Sequence, residues 1–242
     1  MTRNVRLGVN IDHIATLRNA RGGVDPHLLH MALAVEEAGA DGITLHLRED
    51  RRHIRDDDVD LLRAHLRTPM NLEIAATDAM ISIAMRVRPH AVCLVPEHRL
   101  EITTEGGLDV LGHRDRIAQC VETLSAQGIR VSLFIDPNPA QIEGAAEVGA
   151  PVIELHTGDY ANASDRLQRA AQLQTLQASA ARAQRLGLEV HAGHGLTKFN
   201  VQPVAAIAGL RELNIGHSLI GRALLVGLPS AVGEFKQLIL GA

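Results

Sequence analysis

One local phrase recurs along the chain and restricts its fold more than any other feature: a helical pattern, a glycine, then a short apolar run. It appears as VEEAGADGITLH at 35–46, LSAQGIRVSLFID at 124–136, AAEVGAPVIELH at 145–156 and AQRLGLEVHAG at 183–193. Gly39, Gly128, Gly149 and Gly187 stand where each helix would end, and glycine takes the left-handed position after a helix without a Cβ penalty. The runs that follow are rich in Val, Ile and Leu, as strands buried on both faces are.

Four more runs, Arg6–Asp12, Met70–Ala75, Ala91–Val95 and Leu213–Gly221, complete a set of eight strands starting near 6, 42, 70, 91, 129, 151, 188 and 213. Helical patterns lie between them at 26–38, 57–67, 78–88, 113–127, 139–148, 164–186 and 201–210, and one follows at 229–240. Eight such units of about 30 residues predict an α/β fold, a (β/α)8 TIM barrel with extra helices. No linker or composition shift divides the chain, so 1–242 reads as a single barrel domain. The stretch 164–186 is long for a barrel helix and reads as one helix or two. A doubly wound open sheet would need a Gly-rich turn after the first strand, and NIDHIATLRNARGG has none.

Composition narrows the function classes. Aromatic residues make up 2% of the chain and the net charge is −4, which argues against a nucleic-acid partner, where stacking aromatics and a basic balance are expected. No apolar run reaches the ~18 residues of a membrane helix, and MTRNVRLGVNID carries no apolar leader core. Cys93 and Cys120 sit in apolar surroundings at no metal-like spacing. The expectation is a soluble, cytoplasmic protein with no membrane partner and reduced thiols.

Barrel enzymes place their chemistry at the carboxyl ends of the strands, and there the ionisable residues collect. Strand one ends with Asn10, Asp12 and His13; strand two with His46 and Arg48, with His53 in the loop; strand three carries Glu73. Strand four is followed by Pro96, Glu97, Thr103 and Thr104, and strand five ends at Asp136. Strand six carries Glu154 and His156, strand seven ends HAGHG with His191 and His194, and Gly216, His217, Gly221 and Arg222 lie in or after strand eight. Stability alone gives no reason to bury such groups unpaired, at several kcal/mol each.

Glu73 and Glu154 lie inside the runs MNLEIA and VIELH. A carboxylate there is expected to face the lumen, where desolvation raises its pKa; that makes a general acid or base. Arg48 suits bidentate phosphate binding. AGHGLT and NIGHSLIGRAL read as a backbone phosphate cradle after strands seven and eight. Arg18 and Arg21 offer a second cationic site, so two phosphorylated ligands are expected. A catalytic metal is not: H-x-H and H-E-x-x-H are absent, and the imidazoles alternate with arginines.

The segments GVNIDHIATLRNARGG, ADGITLHLREDRRHI, MNLEIA, LVPEHR, TTEGGLD, SLFID, GAPVIELHTG, AGHGLT and ELNIGHSLIGRAL together resemble the pyridoxine 5′-phosphate synthase family, from about residue 7 to the last helix. The resemblance implies condensation of 1-deoxy-D-xylulose 5-phosphate with 3-amino-2-oxopropyl phosphate to give pyridoxine 5′-phosphate, phosphate and water, without cofactor or metal, in a homo-octamer. By matched motif it implies that Asn10, Arg21, Gly195, Gly216 and His217 bind the amino-ketone phosphate. Asp12, His13, Arg48, His53 and Thr103 would bind the deoxyxylulose phosphate. His46 and Glu73 would be proton acceptors, His194 the proton donor, and Glu154 a transition-state stabiliser. The pattern gives His191 no role.

Two other readings compete. Another barrel enzyme on phosphorylated sugars, an epimerase or a Schiff-base aldolase, would in the aldolase case need a lumenal lysine, and the internal strand candidates contain none. A non-catalytic phosphate sensor would need the cradle but not His46, Glu73 and His194.

Overall fold

A computed structural model describes residues 5–97 and 106–242. Eight strands, β1 (Arg6–Asn10), β2 (Gly42–His46), β3 (Met70–Ile74), β4 (Ala91–Leu94), β5 (Arg130–Ile135), β6 (Val152–His156), β7 (Glu189–Gly193) and β8 (Leu210–Ile215), pair in parallel in chain order. β8 returns to β1, with Arg6 opposite Glu212 and Val9 opposite Ile215, and closes the barrel.

The helices are α1 (Asp12–Asn19), α2 (Leu28–Glu37), α3 (Asp56–His65), α4 (Asp78–Val87), α5 (Arg114–Ser125) and α6 (Pro139–Glu147). They continue as α7 (Gly158–Asn162), α8 (Arg166–Arg185), α9 (Val201–Ala205), α10 (His217–Val226) and α11 (Leu228–Leu240). The four glycines of the recurring phrase have φ of 74–99°, as a left-handed residue at a helix end requires.

Alternation along each strand sorts the residues. Leu7, Ile43, Leu45, Leu72 and Ile74 are fully buried and belong to the aliphatic core cluster that spans sheet and helices. Burial of such a side chain stabilises by about 1.5–3 kcal/mol, so this annulus holds the barrel together. The lumen is polar instead. The Thr44 hydroxyl donates to Oδ1 of Asn214 at 2.8 Å, and a Cβ on Gly8 would stand 2.1 Å from that same oxygen.

A cavity of about 320 Å³ occupies the amino half of the lumen, lined in part by Arg6, Asn71, Arg130 and His191. An ion network floors it. Arg6 bonds Glu189 at 2.7 Å and Glu212 at 2.8 Å, Arg130 bonds Glu189 at 2.6 Å, and Nε2 of His191 lies 2.9 Å from Glu189. His191 is therefore a member of the floor, not of the mouth where the strand-end reading put it.

Several boundaries differ from the sequence expectation. The eighth strand ends at Ile215, and 217–221 opens α10; NIGHSLIGRALLV is apolar enough for either state, and Gly216 at the helix start divides it. Asp12 and His13 open α1 rather than end strand one. Residues 166–185 form one helix of 20 residues, with the separate five-residue α7 before it. The helix expected over 201–210 stops at Ala205. None of the described helices is long and apolar enough to cross a membrane.

Candidate active site

The carboxyl-end mouth gathers its groups on two walls. On the first, His46 and Glu73 are register partners on β2 and β3. Nε2 of His46 lies 2.9 Å from Oε1 of Glu97, whose side chain is 5% exposed. Burial pushes Glu97 up, but the bonds from His46 and the Glu49 N–H outweigh it and hold the carboxyl below its ordinary range. Glu97 thus accepts the Nε2 proton of His46, and Nδ1 is the ring nitrogen outside this bond.

Asp12 links this wall to β1. Its Oδ1 accepts the His46 backbone N–H at 2.8 Å, and its Oδ2 accepts from Asn10 Nδ2 at 2.9 Å. Nδ1 of His53 stands 4.0 Å from Asp12 Oδ1, and its ring lies 6.0 Å from that of His46. Burial lowers the His53 pKa, Asp12 opposes this, and His46, Arg48 and His13 add to it. Asp12, His46 and His53 each offer a metal-ligand atom within 4.8 Å of the others, but the adjacent Arg48 charge disfavours a cation there.

Local structure holds these groups in place. Arg18 is buried and bonds both oxygens of Asp58, at 2.5 and 2.8 Å, and its Nη2 reaches the His53 carbonyl at 3.2 Å. Asp58 also accepts the Arg55 N–H at 2.9 Å and so caps α3. Arg18 is consumed by this pairing and is no cationic ligand site; the sequence reading that grouped it with Arg21 is corrected here. The Arg21 side chain is exposed beyond α1. Arg48 is buried, with Asp50 at 3.2 Å. Thr103 and Thr104 lie outside the described residues.

The two carboxyls of the apolar runs, Glu73 beside His46 and Glu154 on β6, belong to the same lumen. Glu73 is driven well above the ordinary carboxylate range by burial, then by the charges of Asp12 and Glu154. Glu154 is raised by burial too, and the Nδ2–H of Asn214, 2.7 Å from Oε2, opposes the rise. Both face the lumen as expected.

The second wall lies on β6 and β7. His194 and Gly195 both have positive φ, 80° and 74°; the conformation strains a non-glycine residue by about 1–3 kcal/mol. Thr157 fixes the turn, its hydroxyl lying 2.8 Å from the Gly193 carbonyl and 2.5 Å from that of His194. The His194 ring sits 4.9 Å from the His156 ring and 6.3 Å from Phe134. Crowding by surrounding protein, then His156, pushes its pKa down to about 4. At the β8–β1 side, His217 and His13 stack edge-on at 4.7 Å. A Cβ on Gly216 would stand 2.9 Å from that of Asn10, so only glycine lets Asn10 and this turn approach so closely.

Residues 7–241 match the family model described as Pyridoxal phosphate biosynthesis protein PdxJ. The chain belongs to the PdxJ family. A curated relative from Synechococcus sp. (strain JA-2-3B'a(2-13)), described as pyridoxine 5′-phosphate synthase, is 60% identical over 231 residues, covering 96% of this chain and 97% of that protein. Two solved structures show the same fold at low identity. Thiamine phosphate pyrophosphorylase from Pyrococcus furiosus has TM-score 0.64 at 15% identity, over 98% of this chain and 96% of that one. Phosphoribosyl anthranilate isomerase from Thermus thermophilus has TM-score 0.62 at 14% identity, over 98% and 99%.

In this PdxJ chain, the strand-end reading found His46, Glu73 and Glu154 facing one lumen, with Asp12, His53 and Arg48 beside them. It missed Asn214, which looks like one polar residue in an apolar run, and it noted Glu97 without seeing its bond to His46. Alternation could have found Asn214: Glu212 and Asn214 are two apart, so they share a face.

Proposed function

We propose that this PdxJ-family chain is a pyridoxine 5′-phosphate synthase. It joins 1-deoxy-D-xylulose 5-phosphate to 3-amino-2-oxopropyl phosphate and releases pyridoxine 5′-phosphate, phosphate and water by general acid–base catalysis, with no metal or cofactor. The observation that carries this reading is the lumen of mixed acids and bases: the Glu73 and Glu154 carboxyls with raised pKa, near the His53 and His194 imidazoles with lowered pKa, in a chain that matches the family over 7–241.

Ring closure between an amine and two ketones needs several proton transfers, dehydration of carbinolamines and elimination of phosphate. A carboxyl moved toward neutrality is a stronger base once ionised and a usable acid before that. In this reading Glu73 and Nδ1 of His46 accept protons, His194 donates one to a departing oxygen, and Glu154 stabilises positive charge on the forming ring. Asn10, Arg21, Gly195, Gly216 and His217 hold the amino-ketone phosphate. Asp12, His13, Arg48, His53 and Thr103 hold the other. Binding both substrates side by side at one barrel mouth converts the condensation into an effectively intramolecular reaction.

A Schiff-base aldolase is disfavoured by the positions of both lysines. Lys236 pairs with Asp41, and Lys198 lies 5.0 Å over the Phe199 ring; neither enters the lumen. The fold likeness to other phosphate-ester enzymes supports the scaffold only. A single cytoplasmic domain over 1–242, assembled as a homo-octamer, goes with the family reading. Leu224 and Leu225 on α10, 76% and 79% exposed, are apolar surface that self-association would cover.

The deciding test is incubation of the purified chain with both phosphates, without added metal or cofactor. Appearance of the pyridine absorbance and of inorganic phosphate supports the reading. A chain that binds both phosphates and yields no product is a sensor, and borohydride capture of substrate on Lys198 would mark an aldolase.

A further inference from the structure

His156 and Asp136 have no part in the roles assigned above, yet both face the same mouth. Nδ1 of His156 lies 3.1 Å from Oδ1 of Asp136. Asp136, half exposed, is held below the ordinary carboxylate range chiefly by that bond, so it is an ionised acceptor and His156 carries its proton on Nδ1. Nε2 of His156 is then a lone pair. The side chain is 9% exposed, and this nitrogen is buried without a hydrogen-bond partner. Leaving such a group unsatisfied costs about 1–3 kcal/mol.

The ring that packs edge-on against His156 is His194, with centroids 4.9 Å apart. A ring N–H···N bond of about 3 Å between two imidazoles spans a separation of this size. Phe134 packs on His156 from the other strand, at 5.1 Å, and a Cβ on Gly158 would stand 2.6 Å from Nε2. The His156 ring is therefore fixed, while His194 lies on an exposed turn. Catalytic hydrogen bonds are often long before substrate binds and tighten in the complex.

We propose that Asp136 and His156 position His194, with Nε2 of His156 accepting one N–H of His194 so that its second nitrogen faces the substrate. The chain of bonds runs Asp136, His156, His194. Its chemistry is that of a carboxylate–imidazole pair: the carboxylate selects the tautomer, and the oriented ring stabilises positive charge on the next group. His194 rests as a neutral imidazole with its one N–H on His156; it becomes an imidazolium only by taking up at its second nitrogen a proton released from substrate in an earlier step, and it then holds that proton toward the departing oxygen. Donation returns it to neutral imidazole, and the N–H on His156 stays. His156 is a positioning residue, since it acts through His194.

The inference rests on the proton-donor role proposed for His194. Three variants test it: Asp136→Asn, which keeps an acceptor for the Gly107 N–H now bonded to Oδ1 at 3.0 Å, His156→Phe, which keeps the ring packing, and His156→Gln, which restores a polar acceptor. The expected result is a fall in kcat of about 10-fold for Asp136→Asn and about 100-fold for His156→Phe, with KM for both phosphates within about twofold of the parent. His156→Gln should recover part of the His156→Phe loss. Nitrogen-15 spectra should show the Nδ1–H tautomer at His156 in the parent and a weaker Nδ1–H bond in Asp136→Asn, whose neutral Oδ1 remains the acceptor but without the charge. Parent-like kcat in a folded His156→Phe, or a change confined to KM, would overturn the assignment. If His156→Phe does not fold, Asp136→Asn decides alone, and unchanged kcat there rejects the dyad. A parent that makes no product rejects the enzyme reading itself, a result distinct from an active parent with unaffected variants.

Discussion

Asn214 reaches Glu154 across β7, Nδ2 to Oε2 at 2.7 Å, while its Oδ1 takes the Thr44 hydroxyl proton at 2.8 Å. β7 contributes Gly193 at this level, opposite Asn214 on one side and His156 on the other. A Cβ there would stand 2.3 Å from Oε1 of Glu154 and 3.0 Å from the Asn214 carbonyl. The bond exists because a strand residue between its partners has no side chain.

Gly193→Ala should therefore displace Glu154 and break its bond to Asn214. Overpacking of this kind destabilises by about 1–3 kcal/mol, and in a chain of this length each kcal/mol lowers Tm by about 2–4 °C. Calorimetry on the variant checks this. An unchanged Tm would mean that the lumen yields without strain.

His46→Ala and Glu73→Gln should each lower turnover by about 10²-fold or more, as loss of a general acid or base does. Steady-state kinetics with both phosphates read the effect. Parent-like product formation by either variant removes that residue from the proton-transfer scheme.

Glu73→Gln also carries a stability prediction of definite sign. The folded chain holds the Glu73 proton well above the ordinary value of 4.5. Below that value both folded and unfolded forms are protonated, and the group has no effect. As pH rises through it, the unfolded chain loses its proton first, so the folded state is progressively disfavoured until the raised folded pKa is passed. Glutamine removes this loss. The variant should melt at a higher temperature than the parent at pH 8, and the gap should shrink toward pH 4. A gap independent of pH would show that Glu73 is ionised in the fold.

Arg48→Ala should act on binding rather than on chemistry. The guanidinium is buried, and Asp50 holds it at 3.2 and 3.3 Å, a positioned charge suited to a phosphate. We expect KM for deoxyxylulose phosphate to rise about 10-fold or more, with a smaller change in kcat. Calorimetric titration of that substrate checks it, and unchanged affinity counts against the contact.

Much of the scaffold was legible in the chain because its signals are local. A glycine after a helical pattern, followed by Val, Ile and Leu, marks a helix end and a strand, and all four such phrases fold so. Glu73 and Glu154 were legible for the same reason: a carboxyl one or two residues from a strand end must choose between lumen and helix layer, and desolvation decides. NIGHSLIGRALLV failed the same test, since a short apolar run has no period that separates strand from helix. His191 was misplaced because two histidines three residues apart, His191 and His194, straddle a strand end and serve opposite halves of the lumen.

The pairings themselves lay outside any local pattern. His46 meets Glu97 from 51 positions away, Asn214 meets Glu154 from 60, and Arg18 meets Asp58 from 40. Sequence by itself determined the eight strand–helix units and the end of each strand that carries charge, because alternation and helical period are properties of neighbouring residues. Only closure of β8 on β1 decided which charged groups face each other, and hence which carboxyls stay protonated, because desolvation and Coulomb interaction depend on distance through space.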